Sequence, residues 1–383
     1  MNKRFFLLFY IFSCVCPYIA ACTSAIIGAD KSPYGRPLLW KNRDTSNFDN
    51  KIEYVNASKT LGEFNYVALF NASDSLLKEA WMGMNDHGFA VMNTASYNLK
   101  NDTVSEKNMD KEGLIMTQAL KKCKTVKEFA TLLDTLPKPL GVEANFGVID
   151  AFGNGAYFET DNYSYTIYDI NDNPDHIIIR TNYSHSGRPK EGFGFIREAN
   201  AQKLMDPYIN DNKITPELFT EVLSHSFYHD LLKKDYLEED TDWIVDQDFI
   251  PRYTSVASIV IEGCHPLSAN DEINTEKIID DYIMWTALGY PPCAEVFPVK
   301  CNENGVALEL RGTTPNGHSP QCDKVLERKN EVFPFKQGNG NKYIDKNKLF
   351  NKEGTGYLQV LAQKNQETYT KTRERKISGN KNL

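Results

Sequence analysis

Beyond its first 21 residues the chain has no apolar run approaching the roughly 20 residues that a membrane span requires. Any hold on a membrane therefore has to come from its start. It has no surplus of positive charge either: 43 Lys and Arg stand against 51 Asp and Glu, a formal net charge of −8. Residues 324–383 hold 14 basic and 6 acidic side chains, which leaves residues 22–323 at −18. An acidic body argues against nucleic acid as the partner, and the basic tail reads as a solvated or self-docking extension. Histidine is scarce, with 7 in 383 residues. His225 and His229, in HSFYHD, stand four apart on one face of a predicted helix, but no Glu follows the first as in a zinc metalloprotease. No metal or organic cofactor is expected. There is no internal repeat and no aromatic stripe of fixed period. Most aromatic side chains are assigned to the core, with Phe48, Tyr66 and Phe146 as candidates to line a pocket.

What is present begins with a greasy leader. Lys3 and Arg4 form a charged start, Phe5 to Tyr18 an apolar core, and Ala20 and Ala21 the small closing residues. The run is too short for a span and predicts a secretory signal. A cut after Ala21 makes Cys22 the first residue of an exported protein, periplasmic or secreted. Ile19-Ala20-Ala21-Cys22 also fits a bacterial lipobox, which would place a lipid on the Cys22 sulfur and leave a lipid-anchored binding protein. Against that reading, an anchor is usually followed by a flexible polar tether, whereas TSAIIGA runs straight into a strand. Cys22, Cys123, Cys264, Cys293, Cys301 and Cys322 remain after the leader. Outside the cytoplasm some can pair, but spacing does not give connectivity. The organisation expected is a signal over 1–21, one domain over 22–335 and a basic polar extension over 336–383.

Alternating patterns predict strands at 23–29 and 38–44, joined by the turn DKSPYGRP, and at 66–72, 79–85 and 88–95. Further strands are predicted within 144–162, a hairpin turned by Gly153-Asn154-Gly155, and at 163–169, 176–184, 254–263 and 306–312. Helical spacing marks 113–124, 125–136, 197–209 and 215–228, with a short helix around Tyr357-Leu358-Leu361. Thr125 with Glu128 three residues on reads as a capping box. This order of elements argues for an α+β fold with largely antiparallel sheets, and against alternating βαβ units.

A cysteine at a new N-terminus carries a nucleophile and, in its own α-amine, a base. The ordinary pKa values of the two groups lie near 8.5 and near 8. A nearby carboxylate can therefore poise them for proton transfer around neutral pH. With a blocked terminus the alternative is a dyad of Cys22 with His87 or His265, and nothing in the spacing selects either.

Cys22-Thr23-Ser24 opening a strand, with Lys41-Asn42-Arg43-Asp44 closing the next, resembles the choloylglycine hydrolase, penicillin V acylase and acyl-coenzyme A:6-aminopenicillanate acyltransferase superfamily. These are N-terminal-nucleophile (Ntn) hydrolases of linear amides. The block GMNDHGFAVMNTASYN, the segment IIIRTNYS and the segment IPRYTSVASIVIEG resemble later blocks of the same superfamily in the same order. The resemblance implies a four-layer αββα sandwich of two antiparallel sheets, with Cys22 on the first strand at the sheet edge. It makes Cys22 the nucleophile and Asp44 the carboxylate that orients the α-amine. Asn93, with Asn182, becomes the oxyanion donor, and Arg252 an active-site arginine. Lys41 stands where the superfamily often has Arg, a departure from the bile-salt hydrolase pattern that weakens transfer of that substrate; with Arg252 it is expected to shape the charge around the nucleophile and to bind a substrate carboxylate. The implied reaction is cleavage of a small-molecule N-acyl amide through an acyl-thioester, with Ntn dipeptidase and acyltransferase as alternatives. A homo-oligomer is left open.

Overall fold

A computed structural model of the chain describes residues 21–379, so the signal and lipobox expectations on residues 1–20 lie outside the described residues. The strands are β1 (Thr23–Ile27), β2 (Leu38–Asp44), β3 (Asn50–Val55), β4 (Tyr66–Asn71), β5 (Met82–Asn85), β6 (Ala90–Ala95), β7 (Ala144–Ile149), β8 (Gly155–Thr160), β9 (Tyr165–Asp169) and β10 (Ile177–Arg180), followed by β11 (Tyr228–His229), β12 (Lys234–Asp235), β13 (Trp243–Val245), β14 (Ser255–Glu262), β15 (Ile283–Leu288), β16 (Val296–Val299) and β17 (Tyr343–Asp345). The α-helices are α1 (Glu112–Lys122), α2 (Val126–Thr135), α3 (Phe195–Ile209), α4 (Thr275–Asp281), α5 (Pro320–Val332), α6 (Lys346–Leu349) and α7 (Tyr357–Gly379). One antiparallel sheet runs β10-β1-β2-β14-β15-β16 and a second runs β3 to β9 in sequence order. This is the αββα sandwich of an Ntn hydrolase. β1 lies one strand in from the edge, between β10 and β2, and Cys22 precedes its first residue. The expected position at the sheet edge is corrected accordingly.

Side-chain parity builds the layers. Successive residues of a strand point to opposite faces. In β1 and β2, Ala25, Ile27, Leu38 and Trp40 join a core with α3 residues Ala201 and Met205. Their neighbours Ile26 and Leu39 pack instead on Val67, Met84 and Met92 of the second sheet. The second sheet's outer face, with Ala68, Phe70 and Val148, is covered by Ile115, Met116 and Leu120 of α1 and Phe129 and Leu133 of α2. Tyr66 and Phe146 belong to that outer core.

The Thr125 cap holds: its side chain accepts from the Glu128 backbone N–H at 3.1 Å. The Glu128 carboxylate turns to the Lys124 N–H and leaves that of Thr125. Segment 306–312 forms a 3-10 turn at Leu308–Leu310 in place of a strand. Its alternation was that of a one-turn helix with Leu310 buried and Leu308 exposed. His225 closes a 3-10 turn and His229 lies in β11, with Ser226 extended between them, so the two histidines share no helix face.

The tail is bound to the body. α7 is 23 residues long, where a single short helix is expected. Leu361, Asn365, Tyr369 and Arg373 recur every four residues on its inner face, and two of the four are polar, which hides the stripe from a hydrophobicity reading. The Tyr369 ring is fully buried, 4.3 Å from that of Trp285, and its hydroxyl lies 2.7 Å from Thr220 Oγ1. Arg373 pairs with Glu262 at 3.3 Å and Glu217 at 3.5 Å. Tyr369→Ala is expected to cost about 3–5 kcal/mol, as removal of a buried aromatic does, read as a lower urea midpoint of the full chain. An unchanged midpoint would show that α7 is not part of the cooperative unit.

Candidate active site

The same parity divides the site into two sides. Cys22, Lys41 and Arg43 follow Ile26 and Leu39 in phase and face the second sheet, whereas Asn42 and Asp44 follow Trp40 and face the helices. β1 and β2 are held in register by Thr23↔Asn42 and Ser24↔Lys41. This places Cys22 at the end of the hairpin, beside Arg43 and Asp44.

On the inter-sheet side, Lys41 Nζ donates to Asn93 Oδ1 at 2.9 Å and to the Trp81 carbonyl at 3.0 Å. Lys41 is 2% exposed, so its ammonium is spent on these protein groups. The contact fixes the Asn93 amide with its oxygen on Lys41 and its Nδ2 turned away, ready to donate. Burial pushes Lys41 down to about 8, with the nearby Cys22 sulfur opposing. Arg43 stacks 4.9 Å over the Trp81 ring and donates to Asn71 Oδ1 at 2.8 Å and to Asn50. Burial lowers it to about 10.

On the helix side, the fully buried Asp44 carboxylate has four donors. Asn42 Nδ2 and Ser255 Oγ donate to Oδ1 at 3.0 and 2.6 Å. Arg252 Nε and Nη2 donate to Oδ2 at 3.1 and 2.9 Å. Arg252 Nη2 also reaches the Ala21 carbonyl at 3.2 Å, on the peptide bond that precedes Cys22. Burial lowers the Arg252 pKa, but the Asp44 and Asp246 carboxylates outweigh it, and the net direction is up.

Asn182 enters through a residue the sequence reading missed. Arg197, 1% exposed, donates to the Cys22 carbonyl at 2.5 Å and to Thr23 Oγ1 at 2.9 Å, while its Nη2 donates to Asn182 Oδ1 at 2.9 Å. Asn182 Nδ2 in turn donates to the Ala95 carbonyl at 2.8 Å. Both ends of the Asn182 amide therefore tie β1, β6 and α3 together. Burial, then the charge of Arg252, pulls Arg197 down to about 10. An arginine in the first turn of α3 opposes the helix dipole. Gly194, the residue before α3, has φ +94°, and a Cβ there would lie 2.5 Å from Arg197 Nη2. The usable signals were a polar pair, Arg197 and Asn200, on the apolar stripe of α3, and a glycine just before it.

All six described cysteines are free thiols. Burial pushes the thiols of Cys123, Cys264 and Cys322 up to about 12, and those of Cys293 and Cys301 up as well. A buried thiol held protonated is a poor nucleophile. The two histidines considered as partners of Cys22 are engaged elsewhere: His87 Nδ1 lies 2.7 Å from Asp86 and His265 Nδ1 3.1 Å from Asp281. One group among the described residues, Asp49, His318 and Asp323, brings metal-ligand atoms within 4.8 Å of one another. All three are half-exposed, and His318 Nδ1 already lies 3.0 Å from Asp323 and 3.6 Å from Asp49.

A cleft of about 550 Å3 opens at the Ala21 end of β1, lined by Ala21, Arg197, Arg252, Tyr253, Asp246 and Lys342 among others. Its volume suits a small-molecule ligand. No helix among the described residues is long and apolar enough to cross a membrane.

Lys41 leads to the first functional expectation. If its ammonium orients Asn93, turnover falls as the pH rises through about 8, and Lys41→Met lowers kcat roughly 100-fold, as loss of an oxyanion-hole contact does. Stability moves the other way. The unfolded chain keeps the lysine proton up to its ordinary value of 10.5, so the fold gains stability between about pH 8 and 10.5. Melting and kcat measured across pH 7 to 10 check both signs. A kcat of Lys41→Met equal to the parent's would remove Lys41 from the site.

The N-acylethanolamine-hydrolyzing acid amidase ortholog of Caenorhabditis elegans has 12% identity and a TM-score of 0.39, covering 68% of this chain and 98% of its own. A conjugated bile acid hydrolase from Clostridium perfringens has 11% identity and a TM-score of 0.42, covering 74% and 93%. Penicillin V acylase from Agrobacterium tumefaciens has 11% identity and a TM-score of 0.38, covering 74% and 86%. No curated protein matches in sequence. The family acyl-coenzyme A:6-aminopenicillanic acid acyl-transferase matches residues 33–235, a stretch that includes Lys41, Asp44, Asn93, Asn182 and Arg197. That is more than half of the chain, and the chain belongs to this family of N-terminal-nucleophile cysteine enzymes acting on amide C–N bonds.

Proposed function

We propose that the chain is exported, loses residues 1–21, and hydrolyses the linear amide bond of a small N-acyl compound with Cys22 as nucleophile. The observation that carries the reading is the Asp44 carboxylate, which Arg252 and Ser255 fix beside the Ala21–Cys22 peptide. Once Ala21 is gone, the Cys22 nitrogen is a free amine opening onto the cleft, with Asp44 to orient it and to stabilise the ammonium it becomes on taking the thiol proton.

The steps then balance without a further reagent. The α-amine takes the thiol proton as the sulfur bonds to the acyl carbon, and the carbonyl becomes an oxyanion facing Asn93 Nδ2. The C–N bond breaks as the α-ammonium returns its proton to the departing amine. Water, deprotonated by the same α-amine, attacks the thioester; the C–S bond breaks, the α-ammonium returns the proton to the Cys22 sulfur, and the carboxylic acid is released. Lys41 holds Asn93, and Arg197 with Asn182 holds the Cys22 carbonyl, so the nucleophile's backbone does not move as the charge changes sides. Transfer of the acyl group to an amine in place of water uses the same intermediate, and the family's own description favours including it.

The test is acid quenching of the mature protein with a panel of N-acyl amides, followed by peptide mass mapping. The expected result is an acyl group on Cys22 and release of the amine. Partition to an added amine measures transfer, and release of amino acids from dipeptides measures the dipeptidase alternative. Turnover without any acyl group on Cys22 would overturn the reading.

A further inference from the structure

The loop before α3 holds a phenylalanine in the open. Phe193 is 44% exposed and joins none of the apolar cores formed by the described residues. It stands between two left-handed glycines, Gly192 at φ +93° and Gly194 at φ +94°. Neither position has room for a side chain: a Cβ on Gly192 would lie 2.6 Å from Tyr183 Cβ, as one on Gly194 would crowd Arg197. The backbone of Phe193 is fixed as well. Its N–H donates to the Asn182 carbonyl and its carbonyl accepts from the Asn182 N–H, both at 3.1 Å. Asn182 is the residue whose side chain joins Arg197, the holder of the Cys22 carbonyl, to the Ala95 carbonyl at the end of β6. Tyr97 comes two residues after Ala95, and its ring meets that of Phe193 edge to face at 5.4 Å. One asparagine thus ties the nucleophile's backbone to the segments that carry both rings of an aromatic pair.

Phe193 lines the cleft at the Ala21 end of β1. The other cleft side chains are mostly charged or polar, among them Asp246, Gln247, Asp248, Asn341 and Lys342. The second aromatic ring of the cleft, Tyr253, is taken up by Phe48 at 5.5 Å and Phe333 at 5.1 Å. We propose that Phe193, backed by Tyr97, is the acyl-binding residue of this cleft, and that it selects amides whose acyl group is apolar, with the polar remainder of the cleft left to the amine. The proposal rests on the amidase reading and names the substrate class of that site. An edge-to-face contact leaves most of the Phe193 ring open to a third apolar group, and covering it removes apolar surface from water. The paired backbone and the two glycines set the ring in place beforehand, so binding loses little in ordering it. An alkyl chain and an aryl ring share this chemistry, and the test separates them.

Selectivity is measured on the mature protein with N-acetyl-, N-octanoyl- and N-phenylacetylglycine, as kcat and KM for release of glycine. The parent is expected to favour the larger acyl groups over acetyl by roughly 10- to 100-fold, the discrimination an apolar pocket gives. Phe193→Ala is expected to lose about tenfold of that ratio, mainly through KM. Its melting temperature stays near the parent's, because the ring packs in no core. With Phe193→Leu, a fall confined to the phenylacetyl ratio marks an aryl subsite, and retention of both ratios marks an alkyl one. The same three compounds are titrated calorimetrically into the mature Cys22→Ala protein, with and without Phe193→Ala, a readout that needs no chemistry. If the parent releases no glycine but the larger acyl compounds lose about tenfold in binding when Phe193 is alanine, the amidase reading fails and the subsite stands. If neither measurement shows a preference for the larger acyl groups, if Phe193→Ala keeps that preference, or if Phe193→Ala does not fold, Phe193 is a structural loop residue and the proposal is overturned.

Discussion

A Cys22→Ala protein is expected to keep its fold and lose turnover by a factor of about 10⁴ or more, as enzymes do when their nucleophile is removed. The fold survives because the sulfur makes one weak contact, 3.9 Å to the Asp44 carbonyl, in a site that the main-chain bonds of β1 hold in register. The loss is large because no second thiol can substitute: burial holds the other five protonated and away from the cleft. Cys22→Ser is expected to fall nearly as far, since an alkoxide is far harder to form than a thiolate at the same amine. The measurement is the initial rate on any amide the parent cleaves, with the melting temperature as control. A serine variant with full activity would falsify the nucleophile assignment.

The second large effect is at Asp44. Asp44→Asn preserves shape but replaces an acceptor of four donors with a group that carries donors of its own. Arg252, 19% exposed, then loses its partner. Breaking a buried pair by removing one member costs about 3–5 kcal/mol, so a clear fall in melting temperature is expected. Activity is expected to fall by a factor of about 10² to 10⁴ at the same time, the range for a lost acid–base partner. The two losses separate on adding the partner change: Asp44→Asn with Arg252→Gln restores hydrogen bonding and much of the stability, but the α-amine still lacks its carboxylate. A double variant that regains activity along with stability would show that Asp44 is structural only.

Much of this arrangement is written locally. Cys22 and Asp44 are visible because they terminate the two strands of one hairpin, and a hairpin's register is set by its own turn. Asn93 is visible as a polar residue within β6, the strand that follows the tight turn at Asn85–Gly88. The order of strand and helix patterns gives an antiparallel α+β fold, and the four-layer sandwich is what the resemblance implies; parity then explains why strands with apolar residues on both faces are covered on both. Arg197 and Ser255 are not visible in this way. Each meets Cys22 or Asp44 across more than 170 positions of chain, and neither carries a local pattern beyond a polar residue on a buried face. β16 escaped because it is four residues long with Pro298 inside it, just after the Pro291-Pro292 turn that separates it from β15. α7 escaped because Asn365 and Arg373 occupy half of its buried stripe. The roles given to Lys41 and Asn182 illustrate the same limit. The resemblance implies a second oxyanion donor in Asn182, and Lys41 is expected to bind a substrate carboxylate, but the lysine is 2% exposed and bonded to Asn93, and the asparagine is bonded at both ends, to Arg197 and to the Ala95 carbonyl.

The central claim is a free cysteine at a free amino terminus. It is tested most directly by intact mass and N-terminal sequencing of the exported protein, with alkylation of the native thiols counted in the same sample. The account predicts a chain that starts at unmodified Cys22, takes up one alkyl group at that residue and loses activity as it does so. A terminus blocked and made heavier by a lipid on Cys22, or a chain that keeps Ala21 and still turns over, would contradict it.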